Sequence, residues 1–359
     1  MKKNKKETVS TSPYVYFEKS EETVYRTDET QKQEIFKRLK KRKMKKQALN
    51  IISFVLAFAV LVSGFYVGKK GIEKFLVLRQ EEKTHNESLL PDDVMKDLED
   101  LSEEEKWAYL YDKYPELIDV KFPAGILFDY ALYYAKNPQT IGYLKIDGTK
   151  IDTPVVQADN DKYYMRHDFN GTSTSYGAIF ATYKANFKPF DRNTLLYGHN
   201  MFDGERFAAL ANYKSLDYFK KHPVIHFDTL FEKHDWKVYA VIITNGSTKS
   251  DNGYFFDFTF DNCSDTCFEE YIKELDKRKL YDTGVDLLPT DKLLTLCTCT
   301  YEFDDARLIV VARMVRDGET SEVDTKLADF KDTPVKYPSS YYDDQKNNPY
   351  KDDPKFYLY

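Results

Sequence analysis

Cysteine is scarce in this chain: four in 359 residues, at Cys263, Cys267, Cys297 and Cys299. No two stand in CxxC spacing, so neither a zinc ribbon nor a thioredoxin-type motif is supported. Cys297 and Cys299 alternate by two on a stretch that reads as a strand, which places them poorly for bridging each other. Cys263 and Cys267 lie four apart in a stretch that reads as helical, where a disulfide would be strained. Internal repeats are absent. Long uncharged runs are lacking too, with one exception, and 31% charged residues with a negative mean hydropathy exclude a polytopic membrane protein.

The exception is the segment 48–68, which holds no charge over 21 residues. At 1.5 Å per residue it would span roughly 30 Å, the thickness of a bilayer's hydrocarbon core. Lys37-Arg38-Leu39-Lys40-Lys41-Arg42-Lys43-Met44-Lys45-Lys46 precedes it and predicts a cytoplasmic N-terminus with everything after Lys69 outside. A cleaved signal peptide fits less well, because the run starts late, is long for such a segment and lacks a small-x-small site. A buried core helix would carry a polar face, which this run does not. Charge is divided accordingly. Residues 1–46 carry 15 Lys+Arg against 7 Asp+Glu, and the remainder of the chain has a net charge of -14.

The predicted organisation is a basic cytoplasmic tail (1–46), a transmembrane signal-anchor helix (47–69), a charged stalk (70–90), a catalytic domain (91–316) and an extended, largely disordered tail (317–359) that could lie on the domain. Pro91-Asp92-Asp93 is a good helix start, and Leu98, Leu101, Trp107, Leu110 and Tyr111 recur at helical spacing; a second helical stretch covers about 125–135. From Ile141 the period changes to that of strands, expected at 141–146, 150–157, 177–183, 194–197, 224–227, 236–244, 292–300 and 308–315. Two helical inserts, 202–222 and about 266–277, interrupt them. Abundant Tyr and Phe suit a β-rich core and peptide-binding grooves. Many short strands without regular βαβ alternation predict a mainly β fold, an eight-stranded closed or near-closed barrel with N-terminal helices.

Three reactive side chains stand at the ends of these strands. Cys299 ends Thr295-Leu296-Cys297-Thr298-Cys299, Arg307 opens the next strand, and His199 follows Leu196-Tyr197-Gly198. A strand rise of ~3.3 Å per residue lets Arg307 sit beside Cys299 across a hairpin. Alone, a strand-end cysteine is often a small buried hydrophobe, and a Gly-His-Asn histidine is often an exposed loop residue. Thiol, imidazole and guanidinium together are the parts of a cysteine acyl-transfer site. Of the other histidines, only His167, before Asp168, invites comparison.

With these motifs the chain resembles the sortases, class B most closely. Leu196-Tyr197-Gly198-His199-Asn200-Met201, Thr295-Leu296-Cys297-Thr298-Cys299 and Arg307 carry the resemblance. It is supported by Ile141-Gly142-Tyr143-Leu144-Lys145-Ile146, by 151–157, by His167-Asp168-Phe169-Asn170-Gly171 and by Gly177-Ala178-Ile179-Phe180. It covers about residues 90–316, and Cys297 departs from it, since a small hydroxyl residue is usual there. It implies cleavage of an Asn-Pro-x-Thr sorting signal after Thr through a thioacyl-enzyme. The acyl group would then pass to a cell-wall peptide amine or, alternatively, to a pilin lysine. Cys299 would be the nucleophile, His199 the general acid and base, and Arg307 the stabiliser of oxyanion and substrate.

Substrate contacts are expected from Tyr254, Asn160, Tyr164, Cys297 and Thr298. Asp304 and Asp305 could orient Arg307, though a solvated turn is the simpler reading. The implied partners are secreted proteins with C-terminal sorting signals, a peptidoglycan precursor or pilin amine, and the bilayer. No cofactor, metal or nucleic acid is expected. A competing, non-enzymatic reading is a surface protein binding peptide, haem or metal through Cys297, Cys299 and His199. Asn137-Pro138-Gln139-Thr140 imitates a sorting signal but lacks a following apolar segment with a basic tail, and reads as a turn.

Overall fold

Alternation of apolar side chains along eight strands closes the sheet. The computed structural model describes residues 29–90 and 92–343. The barrel strands are β1 (Thr140–Lys145), β2 (Asp152–Val156), β3 (Phe180–Ala181), β4 (Asn193–Tyr197), β5 (Val224–Thr229), β6 (Asp235–Asn245), β8 (Leu293–Cys299) and β9 (Ala306–Met314), closed in the order β1-β2-β3-β4-β8-β9-β6-β5. The pairs β2/β3 and β4/β8 are parallel and the others antiparallel. All eight strands send residues into one buried cluster, among them Leu144, Val155, Ala181, Leu196, Phe227, Trp236, Leu296 and Val310. That cluster is the barrel interior. A second cluster joins Leu195, Ala240, Leu293, Cys297, Ile309 and Val311 to Phe268, Tyr271 and Leu275 of α6 (Asp265–Arg278), which covers the outer face.

The eight expected strands are the eight barrel strands. The stretch 177–183 is shorter than its pattern suggests, because Arg206 Nε, rather than a strand partner, donates to the Gly177 carbonyl at 2.9 Å. Two further strands, β7 (Tyr281–Asp282) and β10 (Asp329–Phe330), pair outside the barrel and are too short to leave a periodic signature. The leading helices are α2 (Asp92–Leu98), α3 (Glu103–Lys113) and α4 (Ala131–Lys136), and α5 (Leu216–Lys221) lies in the first insert. A reciprocal cap opens α3: Ser102 Oγ accepts from the Glu105 N–H, and the Ser102 N–H donates to Glu105 Oε2 at 2.8 Å. The expected helix start at Pro91 lies outside the described residues, as do residues 1–28 and 344–359 of the two tails.

The chain divides into two compact units, Met1–Gly71 and Ile72–Tyr359. A continuous helix, α1 (Glu29–Ser88), contains the whole uncharged segment 48–68. No helix among the described residues is long and apolar enough to cross a membrane; the side chains of Ala57, Val60, Leu61 and Phe65, within that segment, lie outside the described ones.

Residues 72–88, within the expected charged stalk, pack against the domain. Val77, Thr84 and Ser88 are buried, Glu73 accepts from Ser175, and Tyr133 and His85 are hydrogen-bonded at 2.9 Å. The charges serve as partners for the domain's loops.

Residues 317–343 of the expected tail lie on the domain. Glu319 pairs with Arg313 and Lys237 at 2.7 Å, β10 pairs with β7, and the Lys336 N–H donates to the Lys277 carbonyl at 2.8 Å. The Ser339 N–H donates to Asp251 Oδ1 at 2.7 Å, at the start of α7 (Ser339–Asp343). Backbone donors and ion pairs hold this segment together with a few scattered apolar contacts, Val323, Ala328 and Tyr337 on the barrel core, too irregularly spaced to give an apolar period.

Glu274 on α6 gathers three cations: Lys277 and Arg278 at 2.5 Å and Lys336 at 3.3 Å. Burial pushes its carboxyl up, but hydrogen bonds from Lys277 and Arg278 and the charges of Arg278 and Lys336 more than offset this and hold it at about 2. A carboxyl depressed in the folded state stabilises above its unfolded pKa, and that stability fades as pH falls through the folded value. Glu274→Gln is therefore expected to cost about 1–2 kcal/mol at pH 7, after discounting for partial exposure. In urea titrations the deficit should shrink steadily between pH 4.5 and pH 2. A deficit of constant size across that range would show that packing, not charge, accounts for it.

Candidate active site

Two strand pairings assemble the site. In the parallel pair β4/β8, Tyr197 stands opposite Cys297. Two residues further on, His199 and Cys299 therefore leave the barrel at the same end. In the antiparallel pair β8/β9, Cys299 stands opposite Arg307. Leu294 and Leu296 point into the barrel while Leu293 and Cys297 join the outer cluster, so the period of two assigns Cys299 to the outer face. Arg307 shares that face with Ile309 and Val311. Cys299, His199 and Arg307 line one cleft of about 180 Å³, with Cys297, Thr298, Tyr197, Gly198, Asp161, Met165 and Phe180.

The hydrogen bonds lace the histidine loop to the cysteine strand. Thr298 Oγ1 donates to the Gly198 carbonyl at 2.7 Å, and Asn200 Nδ2 donates to the Cys299 carbonyl at 2.9 Å. His199 Nε2 lies 2.9 Å from the Met165 carbonyl. A carbonyl oxygen can only accept, so Nε2 carries the proton and Nδ1 is the basic nitrogen of the neutral ring. Gly198 is required by crowding, since a Cβ there would fall 2.7 Å from the Phe207 ring. The loop closes at Arg206, whose φ of 57° and ψ of -126° are strained for a residue with a Cβ, at about 1–3 kcal/mol.

Arg307 is held on three sides. Its Nη2 pairs with Asp305 Oδ1 at 2.7 Å and its Nη1 donates to the Ala306 carbonyl at 3.0 Å. Asp305 is thus a partner of the guanidinium, which corrects the reading of a merely solvated turn. On the third side a Cβ at Gly246 would meet Arg307 Cζ at 2.7 Å, so a glycine after β6 lets the guanidinium lie against backbone.

The two neighbouring thiols differ sharply. Cys297 is 2% exposed, and burial pushes its thiol up to about 12 despite the Arg307 charge; Cys299 is partly exposed at the cleft. All four cysteines are free. Cys263 precedes the N-cap of α6, Ser264, and only Cys267 lies in the helix, so the pair is not the within-helix pair expected. Among the described residues no group of three or more His, Cys, Asp or Glu is placed to hold a metal ion.

Three expected substrate contacts do not line the cleft. Tyr164 is 1% exposed and packed in the core, its hydroxyl donating to Gln139 Oε1 at 2.6 Å. Asn160 closes a turn by accepting from the Lys162 and Tyr163 N–H groups. Their neighbours Asp161 and Met165 line the cleft instead. Tyr254 packs against Arg278, whose Nη2 reaches its hydroxyl at 3.3 Å. His167 stacks on Tyr163 at 4.1 Å, away from the cleft. Tyr197 and Phe180 were missed; Tyr197 was findable only through its register with Cys297. Asn137 of the mock sorting signal accepts from Thr140 Oγ1 in the turn before β1.

The family model described as Sortase domain matches residues 144–315. Sortase B of Listeria monocytogenes is 29% identical over 181 residues, covering 50% of this chain and 71% of that protein. Sortase B of Staphylococcus aureus is 24% identical over 273 residues, 76% of this chain and 98% of that protein. A Bacillus anthracis structure, of a protein similar to sortase B, is 31% identical, covers 54% of this chain and 86% of its own, and has a TM-score of 0.48. The chain belongs to the sortase family. Sortases are cysteine transpeptidases, acting on surface proteins that bear sorting signals. The matched range runs from β1 to just beyond β9 and so takes in every lining residue of the cleft.

A low pKa or open access makes a thiol reactive, while a buried thiol with a raised pKa stays protonated and inert. Brief iodoacetamide treatment of the folded sortase at pH 8 should therefore alkylate Cys299 and spare Cys297, as peptide mass spectrometry would resolve. Equal labelling of both would contradict the burial assigned to Cys297.

Proposed function

We propose that this sortase cleaves an Asn-Pro-x-Thr sorting signal after its Thr and joins the protein to a cell-wall peptide amine, with Cys299 as nucleophile, His199 as acid and base, and Arg307 as oxyanion stabiliser. The observation that carries the proposal is the shared cleft of these three residues at the outer face of one barrel end. Cys299 Sγ attacks the Thr carbonyl carbon, and the carbonyl oxygen takes up the negative charge beside Arg307. Protonated His199 gives its proton to the departing amine as the C–N bond breaks, leaving a thioester on Cys299. The incoming amine attacks that thioester, His199 takes its proton, and the new amide leaves with Cys299 Sγ restored. The pairing of Arg307 with Asp305 keeps the guanidinium aimed at the strand end where the oxyanion forms. Similarity to sortase B proteins supports the choice of signal.

The proposal includes a single-pass membrane anchor with the catalytic domain outside and residues 1–46 in the cytoplasm. On α1 the large apolar side chains Ile51, Ile52, Phe54, Val55, Leu56 and Phe58 are all more than half exposed. A soluble protein rarely leaves such a run uncovered, and the preceding Lys/Arg run supplies the orientation.

Cys299→Ala should abolish cleavage of a fluorogenic Asn-Pro-x-Thr peptide and leave no thioacyl adduct by mass spectrometry. Arg307→Ala should keep the fold and lower kcat by about 10²–10³, the loss seen when one oxyanion donor is removed. Undiminished cleavage by the Cys299 variant would end the proposal. For the anchor, the full-length chain should resist alkaline carbonate extraction from membranes, whereas residues 72–359 should be soluble; release of both would contradict it.

A further inference from the structure

The helix leading into the catalytic domain is tied to the His199 loop at two points. Lys74 Nζ lies 3.2 Å from Asp203 Oδ2. The Glu81 carboxylate forms a two-point pair with the Arg206 guanidinium, Nη1 to Oε2 at 3.0 Å and Nη2 to Oε1. Arg206 is a residue in need of a clamp. Its backbone lies in a left-handed region that side chains disfavour, and its side chain is only 9% exposed. From Arg206 the connection to the reacting groups is direct. Its backbone bridges Asn200, whose Nδ2 holds the Cys299 carbonyl, and the Phe207 N–H donates to the His199 carbonyl at 2.9 Å.

We propose that Glu81 is a positioning residue for the transfer reaction. Its carboxylate keeps Arg206 in the left-handed conformation and thereby holds the loop 199–207 so that imidazole and thiol face one cleft. This rests on the reading of Cys299 and His199 as the reacting pair. Without Glu81, the largely buried guanidinium loses its countercharge, and leaving a buried charge uncompensated costs more than the pair contributes. The loop then relaxes to return Arg206 to water, relieving the backbone strain at the same time. Glycine adopts φ > 0 freely, so Arg206→Gly would keep the loop's turn without needing the clamp.

The test uses the full chain and four forms: wild type, Glu81→Ala, Arg206→Gly and the double variant, with Glu81→Gln as a milder replacement if Glu81→Ala folds poorly. Glu81→Ala is expected to lower kcat for the sorting peptide at least tenfold with KM within about twofold. In the Arg206→Gly background the same change should alter kcat less than twofold. Hydrogen exchange followed by mass spectrometry should show peptides spanning 199–208 exchanging about tenfold faster in Glu81→Ala, with β6 peptides unchanged. An equal fall of kcat in both backgrounds overturns the clamp, and so does unchanged exchange across 199–208. Exchange needs no substrate, so it judges the clamp even if the wild type cleaves no sorting peptide, a result that would sink the functional reading instead.

Discussion

The parallel register of β4 on β8 is the constraint on which the site depends. Parallel neighbours send their C-terminal ends the same way, and Tyr197 opposite Cys297 places the residues two further along at one level. Nothing in the local sequence around His199 or Cys299 could produce this. A one-residue slip would turn Cys299 to the barrel interior and bring Thr298 outward, because side-chain direction alternates with period two. The apolar residues guard against the slip: Leu294 and Leu296 have places only inside, and Leu293 and Cys297 only beneath α6. The hydrophobic effect that closes the barrel thus also sets which thiol meets the cleft.

That division explains how the sortase carries two thiols two residues apart. Cys297 behaves as a core residue, packed with Leu195, Ile309 and Val311, and burial keeps its proton on. Cys299 has the same facing but lies where the strand runs out, beyond the cover of α6. Its environment comes from loops: Asn200 on its carbonyl, Arg307 across the ladder, and the His199 loop alongside. Position along the strand, rather than local composition, separates a structural sulfur from one at the cleft.

What was legible in the sequence follows the same line. Periods of two and 3.6 revealed all eight barrel strands and both helical inserts, because those segments bury one face. The hairpin from Cys299 to Arg307 was legible because its loop is short. Polar attachment was not legible. The helix 72–88 and the segment 317–343 are rich in charge and read as a charged stalk and an extended tail, and they dock through pairs such as Glu81–Arg206 and Lys237–Glu319 whose partners lie more than 80 residues away. Asp161 and Met165 were missed for a related reason. A loop has no period, so which of its side chains face a cleft depends on turns such as the one Asn160 closes.

The two attachments reach different loops of the domain. Residues 72–88 reach the His199 loop through Lys74 and Glu81. The 317–343 segment reaches the loop after β6, where the Ser339 N–H meets Asp251, six residues beyond the end of the strand that pairs with β9; Gly246, which lies against Arg307, opens that loop. An apolar docking face would resist only bulk separation. A charge pair or a single hydrogen bond is directional, and it fixes the orientation of a loop as well as its proximity. Loops have no neighbouring strand to set their geometry, so directional ties of this kind do for the His199 loop what strand register does for Cys299 and Arg307.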